Sequence, residues 1–278
     1  MQNKMEEPMS KVGELRLESN IARKDARLKR GKMPLPLPAE ADELFKKAAS
    51  KLELAVGLLA DEISNCRWQI AKGINRDDDI CTLLETQSHT IGSLGGTWRD
   101  AGQFLKAIHY YDEGYRIELD RKTQCKHKDS YNLLQRIIVR ILFAPESISG
   151  EYPALVEGVN VLQALDEARK EIEAQVYAGR DDSWALADLA LVRFLCNQPA
   201  EDAIKDLKIL EEQREEQREK QKETLTKLDK RNSDPSFYEC TCQVVDALLD
   251  EGLGVRTPLA SGLKEFRDLL KRKGGLGD

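Results

Sequence analysis

Aromatic side chains are scarce, at 6% of 278 residues. Leu, Ala, Glu and Lys outweigh Val, Ile and Thr, a balance that argues against a sheet-rich fold and for helices. No apolar run approaches the ~20 residues needed to cross a bilayer, and no basic-then-apolar leader stands at 1–18. A cytoplasmic protein with no membrane partner is therefore expected. Positive charge is not in excess either. The 43 Lys and Arg against 49 Asp and Glu leave a net −6, which argues against duplex nucleic acid as a partner. Histidine is rarer still: His89, His109 and His127 are too widely separated in the chain to suggest a ligand set. There is no Ser-His-Asp, Cys-His or His-Glu-x-x-His arrangement and no glycine-rich strand-to-helix loop, so neither an enzyme nor a cofactor nor a metal site is expected. Six cysteines are scattered through helical patterns, and neither Cys240 with Cys242 nor Cys125 with His127 has a metal-ligand spacing. They suit small buried thiols in a reducing compartment better than a disulfide framework.

What the chain does contain is amphipathic helix. The first ~32 residues hold few large apolar side chains and end in the basic run Arg23 to Lys32, the composition of a mobile arm. Pro34, Pro36 and Pro38 then remove backbone donors at alternate positions and mark the start of the folded part. The expected organisation is a basic arm with a Pro-rich lead-in over 1–38, an α-helical repeat domain over 39–273, and a flexible tail at 274–278. Within the domain, Leu44, Phe45, Ala48, Leu52, Ala55, Leu59, Ile63 and Cys66 recur every three or four residues, and helices are expected over 39–74 and 77–100. Gly and Pro punctuation predicts further helices over 103–120, 130–143, 153–178, 183–196, 200–230, 236–250 and 258–272. The stretch 211–231 carries only Leu225 and Leu228 as apolar residues and reads as a solvated helical extension held by local charge pairs.

The most specific pattern is Ile91-x-x-Leu94-Gly95-x-x-Trp98, followed by Gly102, Phe104, Ala107, Tyr111 and Gly114. It resembles a tetratricopeptide repeat, a helical hairpin of about 34 residues. Ile91 replaces the usual Trp, and Leu119 stands where the family tends to place a closing Pro. The resemblance implies an all-α superhelix of hairpins, in which Gly95 and Ala107 let the two helices touch while Trp98, Phe104 and Tyr111 fill the space between. Further along, Asp182-Ser183-Trp184, Ala187-Asp188, Ala203-Ile204 and Tyr238-x-x-Thr241 resemble the tetratricopeptide sensor region of apoptosis-signal-regulating kinases, related to sensors of bacterial conflict and immunity systems. That likeness implies a module that senses a signal, with a nucleotide-derived molecule as one candidate, and relays it to an effector protein or peptide.

In such a hairpin the first helix lines the concave face, which places His89, Gly92, Gly96, Arg99 and Asp100 toward a groove. Gly92 and Gly96 either admit a ligand or serve close helix packing; Arg99 is either a fork for carboxylate or phosphate or a surface charge. The helix over 130–143 is apolar except for Asn132, Gln135, Arg136 and Arg140, and charges in such a setting need solvent or a partner. This stripe is expected to face a wet groove continuous with Arg99. Asp188, alone in its apolar run, and Trp184 one turn earlier complete the candidate wall. The alternative is a buried ion pair between Asp188 and Arg136 or Arg140. Two functions follow: a sensor or adaptor that binds a small anionic ligand or a peptide in its groove, or an assembly scaffold that uses its outer faces and charged extension.

Overall fold

The computed structural model describes residues 3–31, 37–125, 131–148 and 155–177, with isolated positions and short helical pieces between Asp188 and Lys271. The charged extension over 211–231, the tail at 274–278 and most of the expected helices beyond 196 lie outside the described residues. Nearly all of what is described is α-helix, and no described helix is long and apolar enough to cross a membrane. The chain divides into two compact units, Met1–Val139 and Arg140–Asp278.

Residues Asn3–Arg30 form a 28-residue helix, α1, packed along the next helix, rather than a mobile arm. Its buried positions are Val12, Leu15, Ser19, Ala22 and Ala26, spaced alternately by three and four. That is the seam of two helices in close register, and small side chains at it let the backbones approach. The low apolar content that suggests a solvated tail is sufficient here because the seam is narrow. Ser19 donates to the carbonyl of Ala48 at 2.9 Å, and Glu18 pairs with Lys51 at 2.6 Å, which fixes α1 antiparallel to α2.

Helix α2 covers Ala39–Ala71 and buries the expected stripe from Phe45 through Cys66. Pro38 starts it in an extended conformation, and its carbonyl accepts from the amides of Ala41 and Asp42. At the other end Gly73 adopts φ +82° and Ile74 donates back to Gln69, closing the helix with its terminal carbonyls satisfied.

Helices α3, Asp77–Asp100, and α4, Phe104–Cys125, form the expected hairpin around Gly102, whose φ of +71° lets Gln103 donate to Trp98. Three contacts define its register: Cys81 with Cys125, Ser88 with Glu118, and Gly95 with Tyr111. Each step of seven along α3 is matched by seven back along α4, the repeat of antiparallel helices that stay in contact along their length. The hairpin spans Asp77–Cys125 and so outruns the ~34 residues of a tetratricopeptide repeat, because no Gly or Pro stops α4 where that repeat would end. Cys81 and Cys125 are joined in a disulfide that ties the open end of the hairpin, contrary to the expectation of free thiols; Cys66 is buried and free. The spacing by which two helices bring these cysteines together is not visible until the register is known.

Helix α5, Tyr131–Phe143, begins in the first unit, where Asn132 packs against Gly92 and Gly114. Two apolar clusters lie among the described residues of that unit. One gathers Phe45, Leu52, Leu94, Trp98, Tyr111 and Val139; the other gathers Leu15, Leu59, Ile63, Ile80 and Leu83.

In the second unit, Leu155–Val156 and Val159–Asn160 pair antiparallel around Glu157 and Gly158, both at positive φ. This small hairpin displaces the start of α6 to Val161–Tyr177 from the expected 153; the Asn160 side chain accepts from the Gln163 amide at its first turn. Arg140, fully buried, donates to the carbonyls of Val156 at 3.0 Å and Glu157 at 3.4 Å.

Two substitutions separate packing from propensity. A Cβ on Gly114 would stand 2.7 Å from the Asn132 amide, so Gly114→Ala should lower stability in urea unfolding by about 1–3 kcal/mol. Gly57, on the exposed face of α2 with nothing near its Cβ position, should give the opposite sign, a gain of about 0.5–1 kcal/mol on Gly57→Ala. Equal losses at both sites would contradict the close α4–α5 contact. Cys125→Ser opens a 44-residue closed loop and should cost up to about 4 kcal/mol in oxidised protein and nothing under reducing conditions, as read from thermal unfolding with and without reductant.

Candidate functional site

Asp100 is the last residue of α3, the end at which aligned carbonyls disfavour a carboxylate. Guanidinia hold it there. Arg23 and Arg27, one turn apart on α1, both donate from Nε to Asp100 Oδ2 at 2.8 Å, and Arg27 Nη2 adds a third contact to that oxygen at 2.5 Å. Arg99 of α3 reaches Oδ1 through Nη2 at 3.2 Å and turns Nη1 toward Gln135 Oε1 of α5 at 2.7 Å. Arg30, one turn beyond Arg27, donates to the Asp100 carbonyl at 2.7 Å and so satisfies a terminal acceptor of α3.

Most of the cluster is removed from solvent: the Asp100 side chain is 12% exposed, Arg23 15% and Arg99 9%, while Arg27 keeps 31% of its surface in water. Burial works against the charge on Asp100, but Arg23, Arg27 and Arg99 outweigh it and hold the carboxyl well below the usual carboxylate range. Arg27 shows the converse. Burial first, and then the like charges of Arg23 and Arg99, bring it below an ordinary guanidinium although Asp100 opposes them. Arg23 and Arg99 go the other way: against their burial, Asp100 holds Arg23, and Tyr111 with Asp100 holds Arg99, above an ordinary guanidinium. Three cations thus meet one anion, and the α3 terminus adds roughly half a negative charge. With Arg30 at the Asp100 carbonyl as a fourth cation, about two and a half positive charges stay uncompensated within the cluster, on the same partial-charge estimate.

Tyr111 of α4 forms the floor. It is fully buried, and its hydroxyl has no hydrogen-bond partner among the described residues. Gly96 brings it to the arginines: a Cβ there would stand 2.7 Å from Arg23 Nη2 and 3.2 Å from the Tyr111 hydroxyl. A buried hydroxyl left unsatisfied costs about 1–3 kcal/mol, so its place beside a cationic cluster calls for an acceptor or donor to complete it.

The residues expected to line an open groove are distributed differently. Gly92 lies under Tyr131 and Asn132, and Gly96 under Arg23, so both glycines serve close packing. The face of α3 that should have been concave is covered by α1 at Gly96 to Asp100 and by α5 at Gly92. His89, on the same helix, is half-buried. The polar stripe of α5 turns inward rather than to water. Asn132 donates from Nδ2 to Glu118 Oε1 at 2.8 Å, Gln135 takes Arg99, and Arg136 pairs with Asp112 at 3.0 Å beneath the Tyr115 ring. Arg140 serves the β-hairpin described above. These polar groups had to be buried once α5 was enclosed, and buried polar groups find protein partners. Asp188 stands half-buried on a short helical piece of the second unit, and Trp184 lies outside the described residues.

Of the expected site residues, the structure therefore brings together Arg99, Asp100, Gly96 and Gln135. It adds Arg23, Arg27, Arg30 and Tyr111, which sequence reasoning assigned to a tail and to packing. The signal was present as spacing: Arg23, Arg27 and Arg30 fall at i, i+4 and i+7, one face of a helix. A second buried network is structural. Glu118 accepts from the Asn132 amide at 3.0 Å and from the Ser88 hydroxyl at 3.3 Å, capping the first turn of α5 from a neighbouring helix. No group of three or more His, Cys, Asp or Glu among the described residues is placed to hold a metal ion.

Because the folded carboxyl of Asp100 lies below its unfolded value of about 3.9, its stabilisation is complete above that pH and is lost as pH falls through the folded value. Asp100→Asn should cost about 3 kcal/mol at pH 7, by leaving buried guanidinia unpaired, and the gap to the parent protein should narrow below pH 4. A gap that is constant from pH 7 to pH 3 in urea titrations would contradict the assignment.

Comparison with protein-family models, with curated proteins and with solved structures finds no match to this chain.

Proposed function

We propose that this chain is a non-enzymatic adaptor or sensor, built of tetratricopeptide-like helical hairpins, that takes an anionic group at the α1–α3 arginine cluster and relays its occupancy to an effector protein. One observation carries the reading: Arg23, Arg27 and Arg99 converge on the single carboxylate of Asp100 in a largely buried setting. A structural ion pair needs one cation for one anion, and unpaired buried charge is costly. Additional guanidinia at the same carboxylate are explained when a second anion is bound from outside. Relay is a matter of attachment. The C-terminal half of α1 buries only Ser19, Ala22 and Ala26, so its hold on the rest of the first unit depends on the arginines that the ligand would engage.

An assembly scaffold is the second reading, favoured by Leu17, Ile21 and Leu28, which are 62%, 55% and 72% exposed on the face of α1 opposite its seam. The two readings separate on variants. In a thermal-shift panel of multivalent anions, including citrate and phosphate, at least one should raise the unfolding midpoint of the parent protein, and Arg99→Ala should reduce its affinity at least tenfold. A flat panel rejects the sensor. If Leu17→Glu with Ile21→Glu abolishes co-purification of a partner while Arg99→Ala does not, the scaffold stands in its place.

A further inference from the structure

The cluster specifies more than an anion. This inference rests on the reading that the arginines bind one, and asks which. We infer that the site accepts the dianionic phosphoryl group of a phosphate monoester, and that Asp100 is a resident anion which the phosphoryl group displaces or shares its arginines with.

Charge is the first argument. Four guanidinia, Arg30 at the Asp100 carbonyl among them, one carboxylate and a helix C-terminus leave about two and a half positive charges, and a phosphate monoester, at about −1.5 to −2 at neutral pH, offsets most of them. A carboxylate or a sulfate ester, with a single charge, would leave more than half of that excess.

Donor count is the second. Three guanidinia present about fifteen N–H donors, whereas a carboxylate offers about four acceptor positions. The crowding is visible: Asp100 Oδ2 receives Nε and Nη2 of both Arg23 and Arg27, all within 2.8 Å, while among the described residues Oδ1 holds the longer contacts from Arg99. A phosphoryl group brings three terminal oxygens and relieves that oversubscription, and guanidinium forks match it two bonds at a time.

Tyr111 is the third. Its hydroxyl, fully buried and unsatisfied among the described residues, lies beside Arg23 across Gly96, where it can donate to a phosphoryl oxygen. The donors come from three helices. Arg23 and Arg27 belong to α1, Arg99 to α3 and Tyr111 to α4, so the site exists only when α1 is docked.

Phenyl phosphate, phenyl sulfate, benzoate and citrate distinguish the possibilities when titrated into the full chain by calorimetry. Phenyl phosphate should bind at least tenfold more tightly than phenyl sulfate, which shares its tetrahedral shape but not its second charge. Its affinity should rise between pH 5 and 7.5 as the second proton leaves near pH 6, while that of phenyl sulfate stays level. Arg27→Gln and Arg27→Lys should each weaken phenyl phosphate at least tenfold with an unchanged helical circular-dichroism signal, the Lys variant because it keeps the charge and loses the fork. Asp100→Asn should bind it more tightly than the parent protein while its α1 amides keep their hydrogen-exchange protection, the sign that α1 stays docked. Phenyl sulfate or citrate equal to phenyl phosphate would overturn the phosphoryl assignment and leave the anion sensor standing. Silence of all four ligands in both parent and Asp100→Asn would remove both. Binding to Asp100→Asn no tighter than to the parent with those amides protected would overturn the role of Asp100 as the resident anion, and loss of their protection would show Asp100 to be the anchor of α1 rather than a displaceable anion.

Discussion

A carboxylate at the C-terminal end of a helix faces the negative pole of that helix, and Asp100 is tolerable there only because arginines from elsewhere surround it. Two of those arginines lie on α1, whose seam is made largely of alanine and serine. Small side chains bury little apolar area, at about 25 cal/mol per Å². The apolar contacts of α1 are concentrated at Val12 and Leu15, toward its N-terminal half, and the ion pairs with Asp100 secure its C-terminal half. Docking of α1 and the state of Asp100 are therefore one event, and the enclosure of Arg99 and Tyr111 follows from it.

The α3–α4 hairpin supplies the rigid part. Its register repeats every seven residues from the disulfide at the open end, through the Ser88–Glu118 pair, to the Gly95–Tyr111 contact beside the turn. The tyrosine is pressed onto a glycine by this register, and that in turn sets its hydroxyl next to Gly96 and Arg23. The same hairpin presents Glu118 to the first turn of α5, which carries Gln135 to Arg99. Every wall of the arginine cluster is placed by helix packing rather than by a loop, which favours a geometry that is already formed before anything binds.

Much of the secondary structure was legible, for particular reasons. The stripe from Phe45 to Cys66 uses large side chains at regular intervals, so α2 declares its buried face. Gly102 between Trp98 and Phe104 marks a turn that only a glycine makes comfortably. α1 was illegible because its seam residues are those that also occur in solvated helices and tails, and because a basic run is usually hydrated. The disulfide was illegible because a separation of 44 residues says nothing until two antiparallel helices fold it to a Cα–Cα distance of 5.8 Å. The polar stripe of α5 stands out in the sequence, but its surroundings do not: Asn132 and Gln135 face protein partners rather than water. Periodicity shows which residues share a face, not which neighbour covers it.

A mostly helical chain and the α3–α4 hairpin with its turn follow from the residues alone, whereas Arg99 reads there as either a fork for an anion or a surface charge. These are local matters of spacing, propensity and turn chemistry. Tertiary structure alone decided that Arg23 and Arg27, more than seventy positions before Asp100, share its carboxylate, and that Gly96 and Tyr111 close the same cluster. The reason is physical. Charge compensation in a buried site depends on distance in space, and only the docking of α1 brings a run that reads as a solvated tail to within hydrogen-bonding distance of the end of α3.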